Sequence, residues 1–237
     1  MGDAKRLSGG GLLVFDWPID RAADAARACL TGDERERAAR FLRAEDGVAY
    51  AASHAGMRSI LSEFVGIAPA ELPLVVGRHG KPELADGVAS HVCFNLSHTR
   101  GLAVLAIAAG RDVGIDVERL RDDKPAPLKI AERYFTAGER SALEAANQNE
   151  RPAAFYRVWT RKEAVAKLLG DGLQTPLSAF DVDPSPETAG WLRLPEPNAL
   201  SLTRCWLQSL PLAGPFAAAL ACSDQPTSVE RRSLSPV

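Results

Sequence analysis

Twice along the chain an apolar strand pattern gives way to helical periodicity and then returns to strands. This doubled series constrains the fold more than any single motif. In the first series, 11–16 (G-L-L-V-F-D) reads as a strand, and 22–30 and 33–43 read as helices, the second opened by Thr31 or Asp33. A longer helix is expected over 46–64, and strands over 72–76, 92–96 and 102–108. The second series opens with a strand at 113–117 and a proline-containing loop through 124–127. Helices follow at 128–134, 137–146 and 152–169, then strands at 180–182, 191–194, 203–210 and 216–221. The pattern is that of an α+β protein built from two halves of similar length, 1–112 and 113–225, meeting at a cleft. No sequence repeat accompanies it, so the duplication is expected in structure alone. The Ser- and Pro-rich stretch 226–237 is expected to be disordered.

Composition narrows the class. Hydrophobic residues make up 46% and charged residues 24% of the 237 positions, the balance of a globular protein with a sizeable core. A formal charge of -2 argues against a dedicated nucleic-acid binder, which needs a basic excess. The apolar stretch 102–109 is too short to span a bilayer, and 12–15 is too short for a secretory signal. Cys29, Cys93, Cys205 and Cys222 are scattered without metal-ligand spacing and read as reduced thiols. A cytoplasmic protein without a membrane partner is expected.

Two segments carry the chemistry. In V-G-I-D-V-E, from Val113 to Glu118, the carboxylates of Asp116 and Glu118 share one strand face, while Val113, Ile115 and Val117 take the other. Such a pair can hold a hard cation, although D-x-E alone is more often a solvated strand end. In R-V-W-T-R-K-E-A-V-A-K, from Arg157 to Lys167, helical spacing groups Phe155, Val158, Trp159, Ala166 and Leu169 in an apolar arc. Tyr156, Thr160, Glu163 and Lys167 form a polar stripe beside it. Lys162 falls inside the apolar arc, where an ammonium is costly unless paired or bound to an anion. Three carboxylates and two lysines are what the handling of a pyrophosphate requires.

Weaker signals lie upstream. G-R-H-G-K-P-E, from Gly77 to Glu83, is a hairpin turn with basic residues Arg78, His79 and Lys81. F-N-L-S-H-T ends a strand with Ser97 and His98, both able to donate to phosphate. Arg37, Arg40 and Arg43 fall along one side of the expected 33–43 helix, a solvated face or a landing site for an acidic ligand. His54 and His91 have no sequence neighbours that distinguish them from structural histidines.

Taken in order, these segments resemble the 4'-phosphopantetheinyl transferases of the Sfp type. The resembling motifs are G-K-P at Gly80 to Pro82, F-N-L-S-H at Phe94 to His98, and V-G-I-D-V-E. R-Y-F-T-A-G-E at Arg133 to Glu139 follows, then W-T-R-K-E-A-V-A-K from Trp159, with Gly172 and Leu173 beyond it. The W-x-x-K-E-A form is similar to the branch often linked to specialised metabolism.

The resemblance implies two pseudo-symmetric α+β halves with coenzyme A and Mg²⁺ at their interface. The implied activity moves the phosphopantetheine arm of coenzyme A onto a serine of an apo acyl or peptidyl carrier protein, releasing adenosine 3',5'-bisphosphate. By motif position Asp116, Glu118 and Glu163 would hold Mg²⁺, Lys167 would neutralise the pyrophosphate with Lys162 as auxiliary, and Glu163 could accept the serine proton. Gly80, Lys81 and Pro82 would border the adenine. Ser97 and His98 would receive the 3'-phosphate, helped by Arg37 and Arg40. Where the family often carries further basic or hydroxyl contacts, this chain has Gly47-Val48-Ala49-Tyr50, which leaves them to Arg37, Arg40 or Arg43. A monomer is expected, because one chain supplies both halves. A non-catalytic coenzyme A or carrier-binding module and a metal-dependent phosphohydrolase are the competing classes.

Overall fold

The computed structural model describes residues 7, 9–20, 24–77, 80–121, 127–170, 176–196 and 198–235. The chain divides into two compact units, Met1–Gly110 with Pro226–Val237, and Arg111–Gln225.

In the first unit, β1 (Leu12–Pro18) leads to two short helices, α1 (Asp24–Ala28) and α2 (Gly32–Ala39), and then to the long α3 (Ala44–Val65). A small hairpin, β2 (Leu74–Val76) and β3 (Pro82–Leu84), precedes a longer one, β4 (Val92–Thr99) and β5 (Leu102–Ala109). β5 lies antiparallel to both β4 and β1. Leu13, Phe15 and Trp17 alternate onto one face of β1 and join Phe94 and Leu105 against Met57, Ile60 and Leu61 of α3. Gly56 permits that approach, since a Cβ there would stand 2.4 Å from the Trp17 ring. The Trp17 indole donates to the Ala52 carbonyl at 3.2 Å, which satisfies its buried N–H.

The second unit repeats the plan. β6 (Val113–Arg119) is followed by α4 (Leu128–Tyr134), α5 (Ala137–Ala145) and the long α6 (Arg151–Leu169). Strands β7 (Ala189–Arg193), β8 (Arg204–Ser209) and β9 (Phe216–Cys222) complete an antiparallel sheet in the order β6-β9-β8-β7. Val158, Ala164, Val165 and Leu168 of α6 pack with Cys205, Leu207, Ala219 and Ala221. In both units the opening strand lies beside the second strand of the last antiparallel hairpin, and a long helix stands between them in sequence. The two-half α+β architecture is therefore present without any sequence repeat to announce it.

Three expectations need correction. The stretch from 226 is not disordered throughout: β10 (Val229–Ser233) pairs in parallel with β1, from Leu12↔Val229 to Asp16↔Ser233. Leu12 N–H donates to the Ser228 carbonyl and Leu234 N–H to the Asp16 carbonyl, so the backbone of β1 outweighs the polar composition of the tail. The expected strand at 180–182 does not form. Its polar backbone groups are taken by side chains instead, since Phe180 O accepts from Lys162 and Val182 N–H donates to Glu139. The expected 33–43 helix is two helix ends. α2, opened by a capping box between Thr31 and Glu34, stops at Ala39, and Arg43 is already the N-cap of α3. Arg78, His79, Lys124, Gly172 and Leu173 lie outside the described residues. Among the described residues no helix is long and apolar enough to cross a membrane.

Candidate active site

One glycine brings the two acidic motifs together. Gly114, Asp116 and Glu118 share a face of β6, and α6 lies on that face. A Cβ on Gly114 would stand 2.1 Å from the Ala164 carbonyl oxygen and 2.3 Å from Leu168 N. The helix backbone rests directly on the strand, and the polar stripe of α6 comes down beside the carboxylates. Lys167 Nζ donates to Asp116 Oδ1 at 2.6 Å. Asp116 is buried, whereas Glu118, Glu163 and Lys167 are half-buried. Burial raises the pKa of the Glu163 carboxyl, Asp116 and Glu118 push it the same way, and Lys167 opposes them.

This donor set fits a hard divalent cation in its chemistry. It offers oxygen ligands alone, two from one strand face and one from the helix on it, and their mutual repulsion favours an added positive charge. Among the described residues, however, no three His, Cys, Asp or Glu side chains already stand at metal-holding spacing. An ammonium, that of Lys167, rests on the most buried of the three carboxylates.

Lys162 has a different place from the one expected. Its ammonium is fully buried, 2.9 Å from Glu139 Oε1, and donates to the carbonyls of Leu177 at 2.6 Å and Phe180 at 2.7 Å. It also lies 4.5 Å from the centre of the Phe180 ring. Burial lowers its pKa and Glu139 acts against that shift. The same Glu139 closes the capping box of α5 with Thr136 and accepts from Val182 N–H. Lys162 is thus paired inside the unit, and its expected part as an auxiliary on the pyrophosphate is replaced by a structural one. Helical arithmetic identified the costly lysine. Its partner, in R-Y-F-T-A-G-E, was beyond the reach of local periodicity.

The residues expected at the nucleotide end lie in the first unit. Gly80 takes a left-handed φ of 86°, and Gly77 N–H donates to the Lys81 carbonyl, closing the β2–β3 turn just before Pro82. Ser97 and His98 alternate on β4, with Ser97 buried and His98 exposed, so they do not share a face. Arg40 forms an exposed i,i+4 ion pair with Glu36 at 2.9 Å. Arg37 lies 5.2 Å from the centre of the Tyr50 ring. Tyr50 stacks on His54 at 3.9 Å, and His98 and Arg37 both act electrostatically on His54. His54, with no informative sequence neighbours, therefore links two of the expected residues. The available signal was its i,i+4 spacing from Tyr50 on the expected long helix.

Comparison with known proteins follows the same division. Residues 16–110 match the family described as 4'-phosphopantetheinyl transferase, N-terminal, and residues 112–221 match the 4'-phosphopantetheinyl transferase superfamily. Similar proteins include the 4'-phosphopantetheinyl transferase HetI of Nostoc sp., 36% identical over 162 residues that cover 68% of each chain. The 4'-phosphopantetheinyl transferase AcpT of Salmonella typhimurium is 33% identical over 171 residues, 72% of this chain and 79% of that one. The 4'-phosphopantetheinyl transferase ffp of Bacillus subtilis is 29% identical over 198 residues, 83% of this chain and 84% of its own.

Proposed function

The chain belongs to the 4'-phosphopantetheinyl transferase superfamily and transfers phosphopantetheine from coenzyme A to carrier proteins, and from that premise we propose which of its residues perform the transfer. The observation that carries the proposal is the contact of Lys167 with Asp116, one helical turn from Glu163, where α6 rests on Gly114.

Asp116, Glu118 and Glu163 would hold Mg²⁺, which when bound supplies positive charge against the two phosphates as the bond to the leaving phosphate breaks. Lys167 keeps its ammonium at the edge of this cluster, partly exposed, and turns it to the pyrophosphate of the donor. The carrier serine loses its hydroxyl proton to Glu163, directly or through a water, as its oxygen bonds to the β-phosphorus. The bond from that phosphorus to the bridging oxygen breaks, and adenosine 3',5'-bisphosphate leaves with the electron pair. Arg37 and His98 take the 3'-phosphate, while Gly80, Lys81 and Pro82 border the adenine.

The protein acts as a cytoplasmic monomer in this reading.

The test is carrier loading. Purified protein, coenzyme A, Mg²⁺ and apo carriers of the fatty-acid, polyketide and peptide classes are incubated and weighed by mass spectrometry. A carrier heavier by one phosphopantetheine is expected, and Glu163→Gln and Asp116→Ala each abolish the shift while the fold persists. Full activity in both variants would remove the assignment of these carboxylates.

A further inference from the structure

The second sheet ends on an open edge. β7 is its last strand in the order β6-β9-β8-β7, and among the described residues no strand pairs with its outer side. The bonds between β7 and β8 run through alternate residues. Ser209 N–H donates to the Thr188 carbonyl, and Leu194 N–H to the Thr203 carbonyl. That alternation gives Gly190 and Leu192 to β8 and turns the N–H and C=O of Ala189, Trp191 and Arg193 outward. Natural sheets usually blunt such an edge, yet this one carries Trp191, which is 40% exposed.

A cleft of about 620 Å³ lies beside the carboxyl end of β7. Phe180 and Asp181 line one side of it, and Leu192, Leu194 and Glu196 the other. The Phe180 side is held away from β7 because its polar backbone is committed elsewhere. Phe180 O accepts from Lys162 Nζ, Val182 N–H donates to Glu139, and the Phe180 ring lies over the same ammonium. The segment whose sequence reads as a strand therefore leaves the edge of β7 unfilled.

The two faces of β7 differ in chemistry. Trp191 and Arg193 share one face, where Arg204 stands opposite Arg193 and lies 4.1 Å from the centre of the Trp191 ring. Leu192 and Leu194 take the other face, in the cleft that Asp181 and Glu196 also line. A strand added here would meet cations on one face, and apolar side chains with two carboxylates on the other. Complementary pairing calls for acidic residues alternating with apolar ones, closed by a basic residue on the apolar side.

We propose that β7 receives an extended segment of the carrier-bearing polypeptide as a fifth strand of this sheet, with an apolar side chain in the cleft beside Phe180. The inference rests on the reading of this chain as a transferase acting on carrier proteins, and it adds a second contact with that substrate. Strand register places the groove within reach of the carboxylates. Asp116 lies opposite Ala219, Ala219 opposite Ser209, and Ser209 bonds to Thr188. Leu192 follows Thr188 by one more turn of the pleat and a second, so it shares the Asp116 face at roughly 20 Å. A segment flanking the modified domain crosses that distance in about six extended residues.

Loading of designed carriers tests this. An apo carrier of the fatty-acid class is extended, at either end, by about sixteen Gly and Ser residues, which span about 22 Å, and then by E-V-E-L-E-K. The control carries K-E-E-E-V-L, the same composition without the alternation. With the unaltered protein the alternating segment should lower KM about tenfold from one end, with kcat unchanged, and the control should not. Arg193→Pro removes an outward N–H and leaves the bonds to β8, so it should abolish the gain. Arg193→Gln keeps the N–H and should retain most of it. Equal KM for the two segments at both ends overturns the inference without recourse to any variant, and so does a gain that Arg193→Pro leaves intact. Free E-V-E-L-E-K that binds the protein but lowers KM from neither end would assign the groove to another protein and overturn the substrate role. Loading of the plain carrier without any segment effect sinks this inference alone, and failure to load any carrier sinks the functional reading beneath it.

Discussion

Lys167 Nζ and Asp116 Oδ1 stand 2.6 Å apart, joining a half-buried ammonium on α6 to a buried carboxylate on β6. The pair spans the two motifs that carry the proposed chemistry. Its position follows from helix spacing on one side, strand alternation on the other, and a glycine that lets the two elements touch.

Removal of the ammonium should affect transfer more than folding. Lys167→Met deprives Asp116 of its partner, and the donor pyrophosphate of a cation. A fall in kcat/KM of about 10²–10³ is expected, the usual loss for one preorganised charge-stabilising group. Steady-state kinetics with a loaded-carrier readout measures it, and a change below about threefold would dismiss the role.

Lys162 should behave in the opposite way. Lys162→Met strands Glu139 in the core and is expected to cost about 3–5 kcal/mol of stability. Replacing Glu139 by Gln in the same chain should recover part of the loss. Urea unfolding of the single and double variants gives the coupling. A loss under about 1 kcal/mol for Lys162→Met would show the pair to be no stronger than a surface ion pair.

Gly114→Ala tests how closely α6 must lie on β6. The added methyl meets backbone at 2.1 and 2.3 Å, with no flexible side-chain end to yield, so the helix must lift. A destabilisation of about 1–3 kcal/mol is expected, with transfer activity reduced even at temperatures where the variant is fully folded. Wild-type kinetics in a folded Gly114→Ala protein would mean that the carboxylates and Lys167 tolerate the displacement.

His54 makes stability depend on pH in one direction. Its folded pKa, about 4, lies below the ordinary 6.5, so the unfolded chain binds more protons between those values. The stabilising contribution is present above pH 6.5 and is lost as pH falls toward 4, by up to about 3 kcal/mol. Thermal unfolding across pH 4–7 should show a steeper acid slope for the unaltered protein than for His54→Gln. Parallel slopes would assign the acid loss of stability to other groups.

Legibility from sequence followed the range of the interactions. Strand alternation placed Asp116 and Glu118 on one face, and helix spacing placed Glu163 beside Lys167, because both patterns are local. The same spacing marked Lys162 as a lysine in an apolar arc. Glu139, more than twenty residues away, became its partner only through the fold. Phe180 to Val182 reads as a strand because its apolar residues are buried, but hydrophobicity does not say whether the backbone will bond to a strand or to side chains. β10 was missed for the converse reason. Five residues at an edge need little apolar content when the neighbouring backbone supplies the bonds.

The placement of β10 also sets an order of assembly. β1 is made before the whole of the second unit, and its parallel neighbour only after it. Until then one border of the first sheet is an open edge, available to other chains during synthesis. Removal of β10 would therefore be felt at β1, in the solubility and folding yield of the first unit.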